Sequence, residues 1–144
     1  MYLESLSETI VFGKNFSKKL KPHSILLLKG PIGAGKTSFV QGIAQGLLIE
    51  ESITSPTFSL SNHYDSGEIP LIHMDLYRLK DSMSAEELFL EEEEELNKNG
   101  GIMIIEWPEL VIPIIHSYWL IELSYGKEVG RYYKIIDNQN LINP

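Results

Sequence analysis

No cysteine occurs in this sequence of 144 residues, which excludes disulfides and thiolate metal sites and fits a reducing compartment. Arginine is almost as scarce, with only Arg78 and Arg131. No apolar run approaches the ~20 residues that a membrane-spanning helix requires. The opening Met1-Tyr2-Leu3-Glu4-Ser5-Leu6-Ser7-Glu8 lacks the basic and apolar segments of a signal peptide. These absences predict a cytoplasmic protein with no membrane contact. The length predicts a single domain over residues 1–144, and 43% hydrophobic residues suffice for a real core. The formal net charge is -8, with eight acids and no base in residues 81–95 and six lysines against Glu4 and Glu8 in residues 1–40. A chain this acidic is poorly suited to hold nucleic acid itself, because that affinity comes mainly from Lys and Arg meeting phosphates.

Gly30-Pro31-Ile32-Gly33-Ala34-Gly35-Lys36-Thr37 matches the phosphate-binding loop pattern G-x-x-x-x-G-K-[ST] in full. Each fixed position has a chemical task. The glycines let the backbone wrap closely round a phosphate chain. The wrapped N–H groups form an anion nest, and the helix that follows points its positive end at the same phosphates. Lys36 supplies a point charge for the β- and γ-phosphates, and Thr37 offers a hydroxyl to Mg²⁺. Gly33, Ala34, Gly35, Lys36, Thr37 and Ser38 are therefore the expected nucleotide-binding residues.

The flanking pattern suits the motif. Ser24-Ile25-Leu26-Leu27-Leu28-Lys29 is of strand length, and Ser38 to Leu48 carries Phe39, Ile43 and Leu47 on one helical face. Ser5 and Glu8 resemble a capping box that opens a helix running to about Leu20. Phe58 to Tyr64 and Ile69 to Met74 read as a hairpin about Asp65-Ser66-Gly67-Glu68. Ser84, with Glu87 three residues on, predicts a helix to Asn97, ended by Asn99-Gly100-Gly101. Ile102 to Ile105 reads as a strand buried on both faces. Pro108 and Pro113 bracket a loop, and Tyr118 to Tyr125 and Val129 to Ile136 form a terminal hairpin. The expected fold is α/β: a P-loop NTPase-like three-layer sandwich whose mostly parallel central sheet gains antiparallel hairpin strands. The phosphate loop would sit at the carboxyl end of that sheet.

Hydrolysis needs acids that hold Mg²⁺ and orient water. Asp75 closes one apolar strand and Glu106 another. Burial makes an acid at such a place costly unless it is paired or metal-bound, although either could be an ordinary strand-end surface acid. Thr54-Ser55-Pro56-Thr57 follows the phosphate-loop helix, where switch segments sense a γ-phosphate, so Ser55 and Thr57 are switch candidates; a plain polar loop is the alternative. A small-molecule kinase would need lid arginines that two arginines hardly supply. A guanine-nucleotide switch would need an Asn-Lys-x-Asp segment, and Asn97-Lys98-Asn99-Gly100 lacks its closing Asp.

Taken together, Gly-x-x-Gly-Ala-Gly-Lys-Thr, Ser-Pro-Thr-Phe, His73-x-Asp75-x-Tyr77-Arg78-Leu79 and Glu106-Trp107 resemble the bacterial TsaE (YjeE) ATPase family. The resemblance runs from about Leu6 to Glu109. It implies an ATP-hydrolysing subunit, using ATP and Mg²⁺, that supports turnover of the complex making threonylcarbamoyladenosine next to the tRNA anticodon. The implied partners are the threonylcarbamoyl transferase and its non-catalytic partner protein, with tRNA met only through them. It implies that Lys36 and Thr37 bind phosphates and Mg²⁺, and that Thr57 belongs to the switch loop. By the same resemblance, Asp75 would position water or Mg²⁺ and Glu106 would lie on the metal side. Trp107 would shape the site or a partner surface, and Ser7, Glu8 and Thr9 would lie near the adenine. Pro31 and Ile32 stand where the family often has an acid and Leu. The Glu91–Glu95 run replaces a stretch that often carries glycine. Arg131 lies where the family often has Gly-Arg; it could reach phosphate, but a solvated strand arginine is the favoured reading. His73 reads as structural.

Overall fold

The structure, a computed structural model, describes residues 1–56, 59–128 and 130–138. Seven strands form one sheet: β1 (Tyr2–Leu3), β2 (Ile25–Lys29), β3 (Ser61–Tyr64), β4 (Leu71–Asp75), β5 (Ile102–Glu106), β6 (Tyr118–Tyr125) and β7 (Arg131–Asn138). Their order is β1-β7-β6-β2-β5-β4-β3. The four central strands β6, β2, β5 and β4 run parallel, and β7, β1 and β3 are antiparallel additions at the two sides. Both expected hairpins are present. Three helices accompany the sheet: α1 (Leu6–Phe16), α2 (Lys36–Gly46) and α3 (Ser82–Asn99).

Alternation along the buried strands sorts side chains into two cores. Leu26, Leu28, Leu71, Ile102, Ile104, Ile121 and Leu123 face α1 and α2, where they meet Phe16, Phe39 and Ile43. Leu27, Ile72, Met74, Met103, Ile105 and Leu120 face the other way, toward Ala85, Phe89 and Leu96 of α3. The layers are therefore helix, sheet, helix, as expected from sequence. Phe39, Ile43 and Leu47 all point inward.

Some boundaries differ from expectation. The cap of α3 is Asp81: its carboxylate accepts the N–H of Ser84 at 3.0 Å, so the helix begins at Ser82. The Ser-to-Glu spacing from residue 84 mimics a second cap one turn late. Ser5 caps α1 as expected, at 3.1 Å from the N–H of Glu8, but Glu8 reaches back to the N–H of Glu4. The stretch after Trp107 forms two 3₁₀ turns, Pro108–Leu110 and Ile112–Ile114. Strand β3 starts only at Ser61, because Leu60 takes a left-handed backbone, φ 62°. Phe58, Thr57 and Val129 lie outside the described residues. Among the described residues no helix is long and apolar enough to cross a membrane.

Helices α1 and α2 cross in direct backbone contact at Gly13 and Gly42. A Cβ on Gly42 would meet the carbonyl oxygen of Ile10 at 2.1 Å, and one on Gly13 would meet that of Phe39 at 2.3 Å. Alanine at 42 gains about 1 kcal/mol of helix propensity, but the helices must move apart. We expect Gly42→Ala to lose about 2–3 kcal/mol net, as overpacked cores do. Thermal denaturation at neutral pH would show this; an unchanged or higher midpoint would disprove the contact.

Candidate functional site

The loop between β2 and α2 opens at the carboxyl end of the sheet. Gly33 and Gly35 take φ of 79° and 100°, a region costly for any residue with a Cβ. The turn is closed by the Ala34 N–H on the carbonyl of Pro31 at 3.1 Å. Below it lies a cleft of about 400 Å³. Gly33, Gly35, Lys36, Thr37 and Ser38 line one wall, and Ser55, Asp75 and Glu106 line another. Tyr77, Trp107, Ile32, Leu6 and Arg131 complete it.

Lys36 is buried, with its ammonium donating to the carbonyls of Gly30 at 2.5 Å and Pro31 at 2.9 Å. It also stands 4.4 Å from the centre of the Trp107 ring. Burial lowers its pKa, while Glu106, Asp75 and Glu109 pull it back up. Thr37 and Ser55 lie hydroxyl to hydroxyl at 3.2 Å, which brings the candidate switch residue onto the phosphate loop.

Asp75 and Glu106 are register partners at the ends of the adjacent parallel strands β4 and β5. Their side chains share the face toward α2. Glu106 is only 3% exposed. It is held by His73, whose Nε2 lies 2.6 Å from its Oε2, and His73 is fully buried. Asp75 is less buried and accepts the Tyr77 N–H at 2.9 Å. Burial raises the pKa of Asp75; the Tyr77 N–H opposes this, the nearby Glu106 adds to it, and His73 and Lys36 oppose it. Two carboxylates beside one lysine form a site that gains from a further cation. Among the described residues no cluster of three or more His, Cys, Asp or Glu could hold a metal alone.

Raising the pKa of Asp75 in the folded state means that the native protein binds a proton more tightly than the unfolded chain does. Its stabilising protonation is complete below the ordinary value of 3.8 and is lost as pH rises through the shifted value. Asp75→Asn keeps an acceptor for Tyr77 and removes this loss. We expect the ligand-free variant to melt higher than the parent at pH 7, with the gap closing toward pH 3.8. Parallel melting curves across that range would refute it.

Trp107 has a left-handed backbone, φ 55° and ψ 58°, which costs a non-glycine residue about 1–2 kcal/mol. Its N–H donates to the carbonyl of Leu28 at 3.3 Å, and its ring packs 4.8 Å from that of Tyr77. The turn after β5 thus aims the indole back over Lys36.

Thr9 is fully buried: its hydroxyl donates to the Ser5 carbonyl at 3.2 Å, and its methyl packs under Gly35. It supports the loop from beneath, while Leu6 is the α1 residue on the cleft. Ser7 and Glu8 line a separate groove with Val11 and Tyr133. Thr57 lies outside the described residues. His73 is structural, as read from sequence, and Arg131 is the residue whose place differs from that reading. His73 carried a signal, a polar residue two places before Asp75 in an apolar strand and so on the same face. Arg131 is not a freely solvated strand residue: its guanidinium donates to the Gly33 carbonyl at 2.8 Å, across the sheet from any sequence neighbour.

Residues 3–133 match the family model of TsaE, threonylcarbamoyl adenosine biosynthesis protein. The chain is 41% identical over 138 residues to the tRNA threonylcarbamoyladenosine biosynthesis protein TsaE of Nostoc sp., covering 94% of this chain and 83% of that one. It is 42% identical over 109 residues to the protein of the same name from Synechocystis sp., covering 75% and 69%. The crystal structure of Bacillus subtilis YdiB superposes with a TM-score of 0.76 at 27% identity, over 97% of this chain and 85% of that one.

Proposed function

Because this chain belongs to the TsaE family, which serves tRNA threonylcarbamoyladenosine biosynthesis, we propose that it binds and hydrolyses ATP to support turnover of the modifying complex. The observation that carries this reading is the placement of Lys36, Thr37, Asp75 and Glu106 round one cleft. A phosphate loop alone would argue for binding; two strand-end acids opposite it argue for hydrolysis.

In this reading the loop N–H groups and Lys36 hold the triphosphate. Thr37 and Glu106 would hold Mg²⁺, and His73 fixes the Glu106 carboxylate in place. Mg²⁺, when bound, supplies charge to the phosphate oxygens. Asp75, partly exposed on the cleft wall, orients the attacking water or assists at the metal. Ser55, against Thr37, lets the loop before Pro56 respond to the nucleotide. Trp107 and Tyr77 cover the site and exclude bulk water. The partners are the threonylcarbamoyl transferase and its non-catalytic partner protein, in the cytoplasm. The acidic chain leaves tRNA to them.

The test is ATPase activity of the purified chain, alone and then with the transferase, its partner protein and tRNA. Slow hydrolysis alone, stimulated by the complex and accompanied by repeated rounds of modification, is expected. Binding of ATP without any response to the complex would overturn the turnover role. Transfer of the phosphoryl group to a metabolite would replace it with a kinase.

A further inference from the structure

We infer that a basic pocket at the amino end of the sheet, opposite the nucleotide cleft, docks an acidic segment of a partner protein, seating one of its carboxylate side chains beside Trp119. Strands β2 and β6 start side by side at that end, and β7 returns to it, with Asp137 in register with Trp119. The cavity there has a volume of about 380 Å³. Lys19, Lys21 and His23 line it together with the rings of Pro22 and Trp119. The chain is acidic overall, yet residues 9–49 hold six lysines and no acid. Lys14, Lys18 and Lys19 sit in last helical turns, where a cation offsets the helix dipole. Lys21 lies past that end, so the dipole does not account for it. Among the described residues neither Lys19 nor Lys21 forms an ion pair. The Lys19 ammonium stands 5.9 Å from the centre of the Trp119 ring. The Trp119 N–H is buried and has no acceptor among the described residues. An indole can only donate, so a carboxylate entering beside the ring supplies the acceptor it lacks after a small turn of the ring.

Backbone chemistry favours a carboxylate over a phosphate. Phosphate sites use free N–H groups, in a nest or at a helix N-terminus. Here those groups are already engaged. The N–H of Leu20 donates to Ser17, that of His23 to Gly101 at 2.7 Å and that of Ser24 to Lys21, while the Lys21 N–H donates to the Ser24 hydroxyl. Pro22 has no N–H. The 3₁₀ turn Ser17–Lys19 runs into the pocket by its carboxyl end, which repels anions. Asp137 stands on the wall as well, and its charge opposes a multiply charged group more than a single one. What remains is a set of side-chain cations round an apolar floor, which complements one carboxylate on an aliphatic stem. The bond from His23 to Gly101 also holds the loop in a left-handed turn, φ 73° at His23, so the pocket needs little ordering to bind.

The test is an NMR titration of the ¹⁵N-labelled full chain with three probes: a terminally blocked peptide of alternating glycine and glutamate, inorganic phosphate, and a single-stranded uridine oligonucleotide. The Trp119 indole signal is identified by its absence in Trp119→Phe. The peptide should move that signal saturably, together with the backbone signals of Lys21, His23 and Ser24, and leave those of Gly33 to Thr37 in place. Added salt should weaken binding. Lys19→Glu combined with Lys21→Glu should weaken it about tenfold or more, because like charges then meet. Both lysines are exposed, so the variant keeps its fold. A Trp119 signal that no probe moves would overturn the inference, as would peptide binding that the charge reversal leaves unchanged. Tighter binding of phosphate or the oligonucleotide than of the peptide would overturn it in favour of a phosphate site. If sedimentation shows the parent but not the variant associating with itself, the acids of α3 from a second copy fill the pocket, and the assignment to a separate partner falls.

Discussion

Lys36→Ala is expected to weaken ATP binding by about 100-fold or more while leaving the fold intact. Removing one member of a desolvated, hydrogen-bonded charge pair costs roughly 2–5 kcal/mol in a complex. The Lys36 ammonium is held at the carbonyls of Gly30 and Pro31, at the root of the phosphate loop. In the ligand-free protein that charge is a burden, because burial disfavours its protonated form. Gly30 and Pro31 are both partly exposed, so water can replace the lost donor. The variant should therefore melt within a few degrees of the parent. Calorimetry and thermal denaturation on the same sample separate the two effects. ATP affinity close to the parent's would remove the phosphate-loop assignment. A collapse of the melting temperature would show that Lys36 is structural first.

Glu106→Gln is expected to retain ATP binding and lose hydrolysis by about 10²-fold or more, because it removes a charged ligand from the metal that stabilises the transferring phosphoryl group. The glutamine keeps the length of the side chain and a hydrogen bond to His73, so the buried end of β5 stays packed. Glu106→Ala should lose the same activity and also stability, because it leaves fully buried His73 without its 2.6 Å partner. An unsatisfied buried polar group costs about 1–3 kcal/mol. Single-turnover hydrolysis with saturating ATP measures the chemical loss, and the midpoint difference between the two variants measures the His73 contact. If Glu106→Gln turns over at the parent rate, Glu106 has no part in hydrolysis.

What could be read from sequence was local. The phosphate loop, the inward face of α2 and the apolar strands β2, β4 and β5 are each written in a few consecutive residues, and their spacing survived folding. That Asp75 and Glu106 would meet was a weaker expectation, since it depends on β4 lying beside β5. Three features depend on contacts between segments distant in sequence. Arg131 reaches Gly33 only because β7 follows β6, which lies beside β2. His73 serves Glu106 only through the β4–β5 register. The left-handed turn at Trp107 is marked by no glycine, and its ring lies over Lys36. The late capping expectation at Ser84 failed for a different reason: two acceptable caps occur one turn apart, and local pattern does not rank them.

The position of β2 has a consequence for how the molecule is made. Both of its neighbours, β5 and β6, come from the last third of the chain. On the ribosome the nucleotide motif emerges early, yet the strand that carries it has no ladder partner until residues from Ile102 onward follow. Pairings so distant in sequence are slow to close, and transiently exposed apolar segments invite aggregation. Ile25, Leu26, Leu27 and Leu28 are such a segment. If the cleft binds ATP as proposed, the ligand would stabilise only a completed cleft and would not assist these early stages. A nascent chain halted before β5 leaves this segment without either of its sheet neighbours.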